Sequence, residues 1–213
     1  MTWCPTDKKN FLTNTIGQIT PSGAVGKIII NCLKTNTLQN VVEIGTWNGL
    51  GSTKCILLGL QANSNFISIE SHSEKQQLAI QNLKDILTPT VKLVWGSILK
   101  DTDIVNVVSI FPEMLRNPEF QRWHSIDIEN IKKSPYVLSE LPTKIDFILF
   151  DGGEFTTYYE FQILFPRCTK FIALDDVNVS KCKHIRNILK ANSNWKEIEY
   201  IQERNGFSLF QHV

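Results

Sequence analysis

The sequence predicts a single α/β domain on an open, doubly wound, mostly parallel seven-stranded sheet that ends in an antiparallel C-terminal hairpin. Three observations predict it. Short β-branched runs alternate with amphipathic segments along most of the chain, a glycine-rich turn follows the first of those runs, and the last two β-like runs flank Asn205-Gly206. A chain of 213 residues suits one elaborated α/β domain and can bury a core without disulfide staples.

Residues 24–33 have helical apolar spacing after the Pro21-Ser22-Gly23 start signal. Residues 41–44 form the first strand, and residues 52–60 the helix that opens after the glycine-rich turn. Residues 66–69 are the second strand. Residues 73–87 read as an amphipathic helix with Ser73 as cap and Gln76 three positions on, and residues 91–95 as the third strand. Residues 145–150 are apolar at nearly every position, as a central strand covered on both faces should be. Residues 156–164 and 180–191 are helical around a fifth strand at 170–174, and residues 195–202 and 207–212 make the hairpin. Residues 111–143 break the alternation, with Pro112, Pro118, Pro135 and Pro142 beside Phe120, Trp123 and Tyr136. They are too many for an ordinary connection and read as an inserted lid over the carboxyl ends of the strands.

Composition narrows the function. Hydrophobic residues at 42% and charged residues at 20% exclude a disordered or coiled-coil chain. Lys+Arg 22 against Asp+Glu 21 leaves a net charge of +1, so no basic excess supports a nucleic-acid partner. Five scattered cysteines without a C-x-x-C pair argue for a reducing compartment and against zinc. No apolar run approaches membrane-spanning length, and residues 1–9 lack the apolar centre of a leader, so a cytoplasmic protein without a membrane partner is expected.

Three constellations carry chemistry. The first runs from Glu43 through Gly45, Thr46, Gly49 and Gly51 to Ser52 and Thr53, between the first strand and the next helix. Its glycines let a ligand approach the backbone, and the helix N-terminus offers free N–H groups. It matches neither the G-x-x-x-x-G-K-[ST] loop nor G-x-G-x-x-G. The Glu43 carboxylate is expected to face the ligand, which suits a cationic group; a merely tight βα turn is the alternative. The second is Glu70, ending the second strand, where a carboxylate accepts both hydroxyls of a ribose or simply meets solvent. The third joins Asp151-Gly152-Gly153-Glu154 after the fourth strand to Asp175-Asp176 after the fifth. Carboxyl ends of neighbouring parallel strands converge on one crevice, and four carboxylates there repel unless a hard cation or a proton relieves them. Asp151, Asp175 and Asp176 are therefore candidate ligands for Mg²⁺, which would acidify and orient a bound hydroxyl. The alternative is that the acidic pair caps the following helix while Asp151 bonds a turn.

E-x-G-x-x-x-G, the acidic Glu70, the Gly96-Ser97 turn and the terminal hairpin together resemble the class I S-adenosylmethionine-dependent methyltransferases, with their Rossmann-like sheet, over about residues 22–213. The resemblance implies that Glu43, Gly45, Thr46, Gly49 and Ser52 lie against the methionine part of S-adenosylmethionine, with Asp151 also at the cofactor. It places the ribose on Glu70 and the adenine at Gly96 and Ser97. Ser97 replaces the family's usual acidic residue there, so Trp95 or the Ser97 backbone takes over its contact. Residues 15–20 are expected to fold over the cofactor.

The D-G-G-E segment and the Asp175-Asp176 pair are similar to metal-dependent O-methyltransferases acting on sugars of macrolides and glycans. Asp151, Asp175 and Asp176 match their metal ligands, and Glu154 stands where they have a general-base histidine. Glu154 is thus the candidate base, provided burial and acidic neighbours raise its pKa; His124 is the alternative. The longer D-G-G-E-F-x-T-Y-x-E-F with L-D-D-x-N resembles methyltransferases of surface-polysaccharide gene sets, including those of large algal viruses. This implies S-adenosyl-L-methionine and Mg²⁺ or Mn²⁺ as cofactors, and a sugar or glycan acceptor, a deoxyhexose such as rhamnose. It further implies work in the cytoplasm (the host's, if the chain is viral) as part of a larger glycan-synthesis protein or as a homo-oligomer. Residues 1–213 make one methyltransferase domain, with residues 1–21 as its N-terminal segment.

A catechol or vicinal-diol O-methyltransferase is the alternative within the fold. An NAD-type oxidoreductase or a non-catalytic binding module are alternatives from other classes; Glu43 and the hairpin count against the former, the intact constellations against the latter. His72 is placed to stack near adenosine or to sit in a solvated turn. Tyr158, Tyr159, Phe120 and Trp123 either wall the acceptor pocket or pack.

Overall fold

The computed structural model describes residues 17–213; the first two residues of the 15–20 segment lie outside them. Helix α1 (Ala24–Thr35) leads to strand β1 (Asn40–Ile44), α2 (Ser52–Gly59), β2 (Asn65–Glu70), α3 (Ser73–Leu83) and β3 (Val91–Trp95). The long connection after β3 then carries α4 (Val107–Ile110), ahead of the expected 111–143 lid, and α5 (Pro118–Lys133), within it, before β4 (Ile145–Phe150). The chain closes with α6 (Thr157–Leu164), β5 (Cys168–Asp175), α7 (Ser180–Ala191), β6 (Trp195–Ile201) and β7 (Phe207–His212). Strand order is β3-β2-β1-β4-β5-β7-β6. The first five strands are parallel, and β7 runs antiparallel between β5 and β6.

The all-apolar reading of β4 has its cause in the packing. Ile148 and Phe150 face Phe161, Leu164, Ile185 and Leu189 of α6 and α7. Phe147 and Leu149 face the opposite layer, with Ile29 and Leu33 of α1 and Cys55 and Ile56 of α2. Each such fully buried side chain contributes roughly 2 kcal/mol through area removed from water. The sheet reverses its direction of winding between β1 and β4, so the crevice of a doubly wound fold opens at their carboxyl ends.

The connection between β3 and β4 has a small core of its own. Leu99, Phe111, Met114 and Ile131 pack on Phe155 and Tyr159 at the start of α6. It returns to the sheet as an isolated parallel bridge between Ser97 and Tyr136, and Ser180 at the start of α7 donates to the Glu113 carboxylate. Helix α5 is well signalled locally: Asn117 accepts the Glu119 N–H at 3.0 Å and Pro118 fills the first turn.

One local expectation needs correction. Ser73 does not cap α3; His72 holds the cap position without a side-chain cap bond, and the His72 N–H is taken by Glu70 instead. The left-handed residues of the hairpin connection are Arg204 (φ 58°) and Gly206 (φ 86°), with no left-handed conformation at Asn205. The reason is tertiary. Asn205 and Gly206 turn their carbonyls to the N–H groups of Asn178 and Val177, at 2.8 and 3.1 Å, clamping the connection onto the turn after β5.

Candidate active site

The glycine-rich turn between β1 and α2 is held by contacts no other residues could make. Gly45 has φ 98°, Trp47 φ 53° and Gly49 φ 80°. A Cβ on Gly45 would lie 2.6 Å from the carbonyl carbon of Asp151, and one on Gly49 2.6 Å from Leu83 Cδ1. Close approach of the β1 and β4 ends thus requires glycine at 45.

Glu43 does not face the crevice. Its side chain is fully buried, and it accepts the hydroxyls of Ser52 (2.6 Å), Thr53 (2.7 Å) and Ser68 (2.6 Å). Burial, only partly offset by those bonds, pushes its carboxyl up to about 7. The expected ligand contact is therefore replaced by an internal one: Glu43 ties β1, β2 and α2 together beneath the turn. Thr46 and Ser52 are likewise buried in this hydroxyl network.

Glu70 lies where the sequence expects it. One oxygen accepts the Trp47 N–H at 2.8 Å and the other the His72 N–H at 2.9 Å. These bonds orient the carboxylate, whose about four acceptor positions are not all taken by them. Lys75 stands nearby with its ammonium 3.8 Å from the centre of the Trp47 ring. Desolvation raises the Glu70 pKa against the pull of those N–H groups and of Lys75.

Ser97 is committed elsewhere. Its N–H goes to Pro135 O at 2.8 Å, its carbonyl accepts from Val137 N at 2.9 Å and its hydroxyl accepts from Leu99 N at 3.0 Å. The returning insertion consumes the groups expected to read adenine, and Val137 fills the space beside Gly96. Trp95 stays 37% exposed next to Glu70 and donates its indole N–H to Ser71 O at 3.0 Å.

At the ends of β4 and β5, oxygens of Asp151, Asp175 and Asp176 lie within 4.8 Å of one another. They do not cap α7, whose cap residue is Val179. Lys181, from the first turn of α7, reaches between them with its ammonium 2.8 Å from Asp151 and 2.7 Å from Asp176. Arg204 adds contacts of 3.0 Å to Asp175 and 3.6 Å to Asp176. The surrounding aspartates hold Lys181 well above its ordinary pKa despite burial. Desolvation would raise Asp176, but Lys181 and Arg204 outweigh it and hold that carboxyl down. Asp175, deeper and repelled by Asp151 and Asp176, rises to about 7, chiefly through desolvation.

Glu154 is half-buried beside this cluster and accepts the Lys181 backbone N–H at 3.1 Å. Desolvation, with repulsion from Asp176 and Glu113, raises its pKa against the pull of Lys181.

Four functional candidates were not singled out from the sequence: Asp127, Lys181 and Arg204, which lie outside every quoted motif, and Glu160, which lies inside the D-G-G-E-F-x-T-Y-x-E-F string but was given no role. Asp127, from α5, sits so close that a Cβ on Gly153 would lie 2.5 Å from its Oδ2. Desolvation and repulsion from Glu70 and Glu154 raise Asp127 to about 7. Glu160, from α6, stands behind Gly152, is 8% exposed, and its buried Oε2 has no hydrogen-bond partner. Desolvation and then Asp127 raise it to about 8.

The aromatic candidates resolve into packing. Phe120 and Trp123 pack as tilted rings at 5.3 Å, and Phe120 meets Phe155 at 5.5 Å. Tyr159 is buried and donates to Val105 O at 2.5 Å. His124 lies half-buried edge-on to Phe155 at 6.4 Å, with burial lowering its pKa.

No protein-family model and no curated protein matches the sequence. Solved structures do. The O-methyltransferase from Bacillus cereus in complex with SAH superposes with TM-score 0.60 at 15% identity, covering 93% of this chain and 84% of that one. The chain has the methyltransferase fold. TomG from Streptomyces achromogenes, an O-methyltransferase involved in tomaymycin synthesis and solved with SAM, gives 0.60 at 14% identity over 96% of this chain and 85% of its own. SAH-bound methyltransferase PaMTH1 from Podospora anserina gives 0.58 at 10% identity over 89% and 78%. Among the described residues, no helix is long and apolar enough to cross a membrane.

Proposed function

We propose that the chain is an S-adenosylmethionine-dependent O-methyltransferase whose acceptor is a hydroxyl of a neutral sugar, a deoxyhexose of a glycan. The observation that carries this reading is the crevice at the β1/β4 reversal, where the glycine turn and Glu70 meet carboxylates from four elements. Glu70 keeps acceptor positions for a ribose, and the excess of buried carboxyl groups suits a ligand bearing cationic sulfur and ammonium. The cofactor supplies an electrophilic methyl, lost from sulfur with the S–C electron pair remaining on sulfur. The protein's part is positioning and proton management. Gly45 and Gly49 let the turn pack closely on Asp151 and Leu83 and so shape the cofactor's side of the crevice, Glu70 orients the ribose, and Glu154 accepts the hydroxyl proton as the O–C bond forms.

The expected divalent cation is tested by the same geometry. Three carboxylate oxygens are near enough for one ion, yet Lys181 already bonds two of those residues and Arg204 the third. A divalent ion would have to enter against a buried ammonium, so the residues as arranged do not fit it.

A sugar acceptor is supported by carboxylates facing the crevice, which accept from hydroxyls, while Phe120 and Trp123 are occupied with one another. A small-molecule catechol or vicinal diol is the second reading, favoured by the fold's likeness to TomG. Calorimetric titration with S-adenosylhomocysteine tests the cofactor: saturable binding is expected, and none refutes the reading. A panel of methyl glycosides and catechols with labelled S-adenosylmethionine then tests the acceptor.

A further inference from the structure

We propose that the Lys181 ammonium is the built-in cation of this site and takes the place of a divalent metal. The inference rests on the methyltransferase reading but goes beyond it, because it concerns how the acidic cluster is neutralised.

The three aspartates come from two strand ends that the parallel sheet forces together, so their charges cannot separate. They need a counter-charge held as firmly as they are. Lys181 provides it from an 11% exposed side chain, at 2.8 Å from Asp151 and 2.7 Å from Asp176. Its helix is fixed on both sides. Cys182, Ile185 and Leu189 are buried in the core, and the Lys181 N–H is held by Glu154. Arg204 completes the set, positioned by the Asn205 and Gly206 carbonyls on Asn178 and Val177. One ammonium and one guanidinium thus face three carboxyl groups, so the cluster is neutralised from within. A dication added to that set would overcompensate it and lie against the ammonium. Lys181 is a positioning residue: it fixes the direction of the Asp151 side chain and, through its backbone, that of Glu154.

Protein stripped with EDTA and returned to chelator-free buffer is titrated with MnCl₂. Free Mn²⁺ is followed by electron paramagnetic resonance and the melting temperature is recorded. The wild type is expected to take up no stoichiometric Mn²⁺ below about 1 mM and to keep its Tm. Lys181→Met, which keeps the stem and loses the charge, is expected to bind one Mn²⁺ and gain about 4 °C or more. One-to-one Mn²⁺ uptake by the wild type, diminished in Asp175→Asn, overturns the proposal. A folded Lys181→Met that binds no Mn²⁺ overturns it too. If that variant does not fold, the wild-type titration decides alone. S-adenosylhomocysteine titrated into the stripped wild type separates the two claims, since absent binding there counts against the methyltransferase reading and not against the cation.

Discussion

Glu160→Gln isolates the most unusual electrostatic feature of the crevice. Glu160 is buried behind Gly152 with one oxygen unpartnered, and desolvation with Asp127's repulsion raises its carboxyl from 4.5 to about 8. The sign follows directly. The folded chain keeps this proton up to about pH 8 while the unfolded chain releases it near 4.5, so stability falls as pH rises between those values. Each unit inside the window costs at most about 1.4 kcal/mol, and from about pH 6 to about pH 7.5 the loss sums to about 2 kcal/mol for this one group. Glutamine keeps the shape and one acceptor but has no proton to release. Urea unfolding of the ligand-free protein, followed by tryptophan fluorescence, should show the wild type losing about 2 kcal/mol more than Glu160→Gln over that interval. Parallel stability curves for the two proteins would refute the assignment of a retained proton to Glu160.

Gly45→Ala should destabilise by about 2–5 kcal/mol in the same urea assay, combining strain at φ 98° with overlap on the Asp151 carbonyl. Glu154→Gln should bind S-adenosylhomocysteine as the wild type does while losing about 10²–10⁴-fold in turnover, measured with labelled cofactor and saturating acceptor. Glu70→Ala should weaken S-adenosylhomocysteine binding about 10–100-fold by calorimetry. It removes the charged acceptor that orients two backbone N–H groups and would receive the ribose.

The strands were legible because their causes are local. Residues 145–150 must be apolar on both faces when helices cover both, and the structure places β4 on those six residues. The carboxyl-end positions of Glu70, Asp151, Asp175 and Asp176 followed from the same alternation, since a parallel sheet brings such ends together. What stayed hidden depends on contacts between distant segments. A lysine in the first turn of a helix reads as solvated, and only the turn after β5 bends Lys181 onto Asp151, 30 residues away in sequence. Asp127 sits on a polar-looking helix whose docking on Gly153 no periodicity reveals. Glu43 was misdirected for a related reason. Its position in the motif was evident, but three hydroxyls from two other elements decide where its carboxylate points.

The net charge of +1 conceals a segregated molecule. Around the crevice stand Glu70, Asp127, Asp151, Glu154, Glu160, Asp175 and Asp176, against which Lys181 and Arg204 are spent on the last two strand ends. Mutual repulsion and burial hold several of these carboxyls protonated near neutrality, with Asp127 and Asp175 at about 7 and Glu160 at about 8. A cation entering the crevice favours their ionised forms, so its binding expels protons and strengthens as pH rises. S-adenosylmethionine carries a sulfonium charge that S-adenosylhomocysteine has lost. The crevice should therefore prefer substrate cofactor over product, by a margin that widens with pH. Each proton released on binding the first and not the second changes the affinity ratio by up to about tenfold per pH unit. Calorimetric Kd values for both ligands at about pH 6 and about pH 8 measure that ratio. A several-fold increase is expected, whereas a ratio that stays constant would mean the sulfur sits out of reach of these carboxyls and that their protons serve the fold alone.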